Sequence, residues 1–310
     1  MIPLPAPTAG GARPGTEELL RRLELRVTHR LDGILQGDYQ GLLPGPGTEP
    51  GEARAYLPGD DVRLIDWNVT ARTTEAHVRM PIADRELETW VVVDLSASLD
   101  FGTASCEKRD LALSALAAVG HLTARVGNRL GALLVQAGTT SSVPARPGRQ
   151  HVRALLHRVA TAPRDEGGGA TDLAGALEAG VRLTRRRGLA VVISDFLGAG
   201  GWERPLRALA ARHDVLAVEV LDPRELALPD VGILSLVDPE TGQRLEVGTG
   251  DARLRARYAE AAAAQREVTA RAVRSAGADH LVLRTDRDWL FDIVAFVEHR
   301  RRRAGTSVAR

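Results

Sequence analysis

The sequence predicts an α/β fold: a doubly wound, mostly parallel sheet, preceded by an N-terminal accessory segment rich in short strands. Three observations predict it. From residue 90 onward, short apolar runs alternate with stretches that repeat apolar residues at helical spacing. The runs are continuous, as in Val91-Val92-Val93, and continuous apolar strands are buried on both faces. Hydrophobic residues make up 44% of the 310, enough for a full core, and aromatics only 4%, so Ala, Val and Leu must fill it. Alternating helices and doubly buried strands imply a parallel sheet with helices on both sides.

Four regions follow from the pattern. Residues 1–16 are rich in Pro and Gly and read as a disordered lead, 17–86 as the accessory segment, 87–303 as the main domain and 304–310 as a tail. A helix starts near Thr16 with Glu17 and Glu18 in its first turn, and Gly37 to Gly51 is loop. Ala53 to Ile82 reads as short strands and turns, with no helix period. In the main domain, strands are expected at Val91–Val93, Leu130–Val135, Leu189–Ile193, Val215–Leu221 and His280–Leu283, with an edge strand at Thr139–Pro144. Helices are expected at Lys108–Arg125, Gln150–Val159, from Asp172, and at Trp202–Arg212, Ala252–Ser275 and Trp289–Arg301. Ile233–Val237 and Arg244–Val247 flank D-P-E-T-G-Q as a β-hairpin.

Bulk properties exclude several function classes. A formal charge of +1, from 41 basic and 40 acidic side chains, gives no electrostatic case for nucleic acid. The single cysteine, Cys106, cannot form an internal disulfide or a multi-cysteine zinc site. No apolar run approaches the ~18 residues of a membrane span. The expectation is a cytoplasmic, soluble protein. No phosphate-cradling G-x-x-x-x-G-K-[ST] loop is present, so any ATPase activity belongs to a partner.

Ligands of an open parallel sheet bind where loops leave the carboxyl ends of strands, at the reversal of strand order. Three such loops carry hard oxygen groups. The first holds Asp94, Ser96 and Ser98, the second Thr171 and Asp172 after three glycines, and the third Asp195. Carboxylates and hydroxyls are the ligands Mg²⁺ prefers. Each fragment also suits ordinary loop and cap chemistry, and Asp172 reads more readily as a helix cap.

The set D-L-S-A-S at 94–98, G-G-A-T-D at 168–172 and I-S-D at 193–195 resembles the metal-ion-dependent adhesion site of von Willebrand A domains. The resemblance implies a von Willebrand A / Rossmann-like main domain with Asp94, Ser96, Ser98, Thr171 and Asp195 as the metal set. It implies Mg²⁺, with Mn²⁺ or Ca²⁺ as alternatives, and a partner that completes the shell with a carboxylate. The run Y-L-P-G-D-D-V-R-L-I-D-W-N-V-T-A-R at 56–72 and the 212–225 run ending D-P-R-E resemble a bacterial family of A-like proteins catalogued as a domain of unknown function. Members of that family are typically encoded beside MoxR-type AAA+ ATPases. The resemblance therefore implies a non-enzymatic adaptor that works with such an ATPase, or with a client protein, in chaperone-like maturation. Arg63, Asp66 and Arg72 of the 56–72 motif, with Asp172, are the candidate partner-binding residues. Within that motif, Asp60, Asp61, Arg63, Asp66 and Arg72 read more readily as a buried ion-pair network that ties the accessory segment to the sheet.

A second class is a Mg²⁺-dependent phosphohydrolase of haloacid-dehalogenase-like layout, with Asp94 as nucleophile. That chemistry needs a carboxylate two residues on as general acid, where this chain has Ser96. It also needs a lysine, and Lys108, the one lysine in the chain, reads as lying well into a helix. Cys106 is expected to be inert and His213 a turn residue.

Overall fold

The computed structural model describes residues 16–34, 53–56, 65–73, 75–79, 88–125, 127–136, 138–164, 171–184, 186–198, 200–237 and 243–307. The central sheet has six strands. In chain order they are β3 (Glu88–Asp94), β4 (Arg129–Gln136), β5 (Thr139–Arg146), β6 (Leu189–Ser194), β7 (Asp214–Leu221) and β10 (Asp279–Arg284). Their spatial order is β10-β7-β6-β3-β4-β5. Every neighbouring pair is parallel except β4 with β5, which closes one edge as an antiparallel hairpin. The chain winds outward from β3 to one edge, then returns beside β3 as β6 and winds to the other. The order therefore reverses between β3 and β6.

The apolar runs are buried on both faces, as their composition predicts. Val91 and Val93 of β3 enter one core and Val92 the other; Val191 and Ile193 of β6 are likewise separated from Ala190 and Val192. One face is covered by α1 (Thr16–Ile34), α3 (Lys108–Arg125), α4 (Arg149–Ala160) and α9 (Trp289–Ser307). The other is covered by α5 (Leu173–Leu183), α6 (Glu203–Ala210) and α8 (Ala252–Ser275). Helix α3 is buried around most of its circumference, because Leu20, Leu23 and Val27 of α1 join the core on which it packs.

The close fit of the strands is visible at Gly188, just before β6. A Cβ there would sit 2.1 Å from the backbone oxygen of Glu88. The G188A variant is expected to lose about 1–3 kcal/mol, read as a lower urea midpoint.

Other elements depart from the sequence reading. Within the 56–72 motif, Trp67–Thr73 forms a short helix, α2, where no helical period is legible. Its first turn is held by Asp66, whose carboxylate accepts from the Val69 N–H at 3.3 Å. Seven residues are too few to display an amphipathic repeat. Strands β1 (Ala53–Ala55) and β2 (His77–Arg79) pair antiparallel beside it. His213 lies in the turn between α6 and β7, as expected, and it is buried there, with Nε2 2.9 Å from the Thr184 hydroxyl. Burial holds its pKa below the ordinary histidine value. Strands β8 (Ile233–Val237) and β9 (Arg244–Gly248) form the expected hairpin arms, paired only with each other; the turn between them lies outside the described residues.

Candidate metal centre

The site is built where the strand order reverses. Asp94 is the last residue of β3; Ser194 ends β6 beside it, and Asp195 follows directly. The Asp94 carboxylate shapes its own loop. Oδ1 accepts from the Ser96 N–H at 2.9 Å, and Oδ2 accepts from the Ser194 hydroxyl at 2.6 Å. Ser96 then leads into a 3-10 turn, Ala97–Asp100. That turn brings the Ser96 and Ser98 hydroxyls within 3.0 Å of each other and lets Ser98 donate to Asp195 Oδ2 at 2.7 Å. Arg109 anchors the loop from below, by an ion pair with Asp100 at 2.6 Å and a hydrogen bond to the Leu95 carbonyl at 3.3 Å.

The third loop carries local strain. Phe196 has φ +57°, a left-handed backbone that a bulky side chain rarely adopts. Two contacts hold it: its N–H donates to the Ser194 hydroxyl at 3.0 Å, and its ring packs on Trp202 with centroids 4.9 Å apart. The resulting turn lets the Leu197 N–H donate to Asp195 Oδ1 at 3.1 Å, fixing that carboxylate. Strained residues of this kind concentrate at functional sites.

The second loop supplies Thr171; it lies between α4 and α5, not at the carboxyl end of a strand as expected. Its hydroxyl is buried and has no hydrogen-bond partner among the described residues. A buried hydroxyl left unpaired costs about 1–3 kcal/mol. The neighbouring Asp172 does not face the same problem, because it caps α5 by accepting from the Gly175 N–H at 2.7 Å. Asp94, Ser96, Ser98, Thr171, Ser194 and Asp195 together line a cavity of about 10 Å³. That is room for one ion or one water.

Electrostatics separate the two carboxylates. Burial, and then the charge of Asp195, push Asp94 up to about 6, against the pull of its hydrogen bonds from Ser194 and Ser96. Burial alone would raise Asp195 too, but the Lys108 ammonium and the Ser98 hydroxyl outweigh it and hold Asp195 below the ordinary carboxylate value. The sequence-predicted metal set is thus in one place. Of the other candidates, Asp66 caps α2, Arg72 is exposed on its last turn, and Arg63 lies outside the described residues.

The donors suit a small, hard divalent cation: two carboxylates, two serine hydroxyls and the orphaned threonine hydroxyl. Among the described residues, no group of three or more His, Cys, Asp or Glu side chains is placed to hold a metal ion, so hydroxyl oxygens would have to complete any such shell.

A family described as "Protein of unknown function DUF58" matches residues 52–268. The chain belongs to the DUF58 family. It is 60% identical over 291 residues to the uncharacterized protein Rv1480 of Mycobacterium tuberculosis, covering 94% of this chain and 92% of that one. The uncharacterized protein MAV169 of Mycobacterium avium is 57% identical over 162 residues, 52% of this chain and 95% of that one. Among solved structures, BatB from Bacteroides thetaiotaomicron is similar with a TM-score of 0.42 and 14% identity, over 71% of this chain and 99% of that one. An aerotolerance-related membrane protein from Bacteroides fragilis has a TM-score of 0.44 and 11% identity, over 69% and 97%. No helix among the described residues of this DUF58 chain is long and apolar enough to cross a membrane.

The site of this DUF58 protein contains groups that the sequence reading missed. Ser194 is one. Lys108 is the more consequential, and its placement corrects the expectation. It is the first residue of α3, not deep within it, and its side chain is fully buried. The ammonium donates to Asp195 Oδ2 at 2.8 Å and pairs with Glu225. Glu225 comes from α7 (Pro223–Leu226), the D-P-R-E run, which is a capping box. Asp222 caps the helix, Pro223 starts it, and Glu225 returns to the Asp222 N–H at 2.9 Å. The signal was present as D-x-x-E with Pro at the first helical position.

Asp222 is fully buried and accepts from the Thr103 N–H at 2.7 Å, the Arg224 N–H at 2.9 Å and the Thr285 hydroxyl at 2.7 Å. Burial pushes its pKa up, but these donors prevail and hold it below the ordinary 3.8. A carboxyl with a depressed native pKa stabilises the fold above its unfolded pKa and loses that contribution as pH falls through the native value. The D222N variant is therefore expected to be about 2–3 kcal/mol less stable at neutral pH. Its stability is also expected to fall less steeply than wild type as urea midpoints are followed downward from pH 4.

Proposed function

We propose that this protein is a non-enzymatic adaptor whose cleft is a metal-dependent adhesion site of the von Willebrand A type. Asp94, Ser96, Ser98, Thr171 and Asp195 would hold Mg²⁺, with Mn²⁺ or Ca²⁺ as competitors. The observation that carries the reading is the Thr171 hydroxyl: buried, unpaired, and lining an ion-sized cavity with two carboxylates and two serine hydroxyls. Three carboxylates, Asp94, Asp195 and Glu225, against the one ammonium of Lys108 leave an excess of negative charge that one divalent cation neutralises. When bound, the cation supplies a Lewis-acidic position for a carboxylate from another protein. This chain's residues orient the donors and exclude bulk water.

The partner expected from the resemblance is a MoxR-type AAA+ ATPase, or a client that the pair matures together, which would place the encounter in the cytoplasm. The test is capture from source-cell lysate, with bound proteins identified by mass spectrometry. Three baits are compared, each with a melting curve: wild type in Mg²⁺, wild type in EDTA, and D94A in Mg²⁺. Capture of an AAA+ ATPase by the first alone supports adhesion through the cleft. Equal capture by all three contradicts it.

One observation favours the phosphohydrolase reading: Lys108 reaches the site, as that chemistry requires. One counts against it: Ser96 stands where the general acid should be. Phosphatase activity that D94N abolishes would reinstate it.

A further inference from the structure

We propose that Lys108, clamped by Glu225, is an internal counter-cation that sets how tightly the cleft binds its divalent ion. The proposal rests on the adhesion-site reading above and deepens it. Lys108 is the only lysine in the sequence, and its side chain is fully buried. It opens α3, and a helix N-terminus carries partial positive charge, so an ammonium is disfavoured there. Lysines are almost never fully buried unless paired. Nothing about the helix or the core calls for this one; the two carboxylates it meets do.

The geometry fixes the charge in place. Asp195 Oδ2 receives both the Ser98 hydroxyl at 2.7 Å and the Lys108 ammonium at 2.8 Å. On the far side, Glu225 cannot swing away, because its other oxygen accepts from the Asp222 N–H at 2.9 Å. Asp222 in turn is tied to Thr103 and Thr285 on neighbouring loops. A unit positive charge is thus held in direct contact with one carboxylate of the metal set, and a unit negative charge is held behind it. A divalent cation entering the cleft is repelled by the first and attracted by the second.

Opposite signs follow for the two partners of one ion pair. Removing a unit charge a few ångströms away, even at an effective dielectric constant near 20, changes binding by about tenfold or more. The K108M variant is expected to bind Mg²⁺ at least about tenfold more tightly than wild type. E225Q, which leaves the ammonium unopposed, is expected to bind about tenfold more weakly. The K108M/E225Q double variant, with net charge restored, should return to within about threefold of wild type, because the two opposite charge effects cancel.

The experiment is calorimetric titration of Mg²⁺ into wild type, the two single variants, the double variant and D94A at pH 7.5, with a melting curve of each in EDTA. Tightening in K108M with weakening in E225Q confirms the charge mechanism. Weakening in both, or no change in either, overturns it and leaves Lys108 a packing and folding residue. If K108M does not fold, E225Q and the double variant decide: restoration of affinity in the double variant supports the mechanism, and further loss contradicts it. Absence of Mg²⁺ binding by wild type, with D94A indistinguishable, removes the adhesion-site reading itself and this inference with it.

Discussion

D94N is expected to melt higher than wild type in EDTA and lower than wild type in Mg²⁺. Without metal, Asp94 is a carboxylate buried beside a second one, and both burial and that neighbour disfavour its charge. Asn keeps an oxygen for the Ser96 N–H while removing the charge, and its NH2 reverses the second bond by donating to the Ser194 hydroxyl. Relief of a buried, repelled carboxylate is favourable, so the metal-free variant gains stability. With metal the sign reverses. A ligand that binds only the native state stabilises it by about 2.7 kcal/mol at a concentration 100 times its Kd. D94N forfeits that increment because the cleft loses one of its two carboxylate charges. The expected result is a pair of melting curves that cross over between EDTA and Mg²⁺, separated by about 5 °C in the metal-loaded arm. A D94N protein less stable than wild type in both conditions would show that Asp94 acts only as a structural acceptor for Ser96 and Ser194.

The second large effect concerns folding. K108M is expected to cost about 3–5 kcal/mol in EDTA, because breaking a buried ion pair by deleting one partner strands the other. Here it strands two, since Asp195 and Glu225 both lean on the same ammonium. Urea unfolding should show a lowered midpoint with an unchanged slope. Mg²⁺ is expected to recover more stability in K108M than in wild type, since the cation then neutralises the carboxylates that the lysine served. A loss below about 1 kcal/mol would place Lys108 among the ion pairs that contribute little.

Much of the central sheet is legible in the sequence because burial on both faces writes itself as uninterrupted Val, Leu and Ile. Val91-Val92-Val93 and Leu189 to Ile193 could hardly be anything else. The loops at their ends are legible for the same reason: the apolar run stops at a charged residue, Asp94 or Ser194-Asp195. The helix at Trp67–Thr73 is not legible, because seven residues under a single Asp66 cap show no period. The turn at His213 is legible but its burial is not, because nothing in the text says that the ring is satisfied internally by Thr184.

The site divides along the same line. Residues contributed by strand ends could be found by position. Lys108 and Glu225 could not, because their meeting depends on how α3 and α7 stack over the sheet, across a separation of 117 residues. The D-P-R-E capping box announces a helix start at Asp222, but nothing in the text says that its glutamate looks back to a lysine on another helix. The orphaned Thr171 hydroxyl is invisible in sequence for a similar reason. A threonine before a helix cap is commonplace, and only the packed structure reveals that its oxygen has no partner among the described residues.

The most direct test is an anomalous difference map from a crystal grown with Mn²⁺. One peak per chain, in contact with the Ser96, Ser98 and Thr171 hydroxyls and absent from crystals of D94A, is the predicted result. A map with no peak in the cleft, or with the ion bound elsewhere while Thr171 remains unpaired, would contradict the claim that these five residues hold a divalent cation.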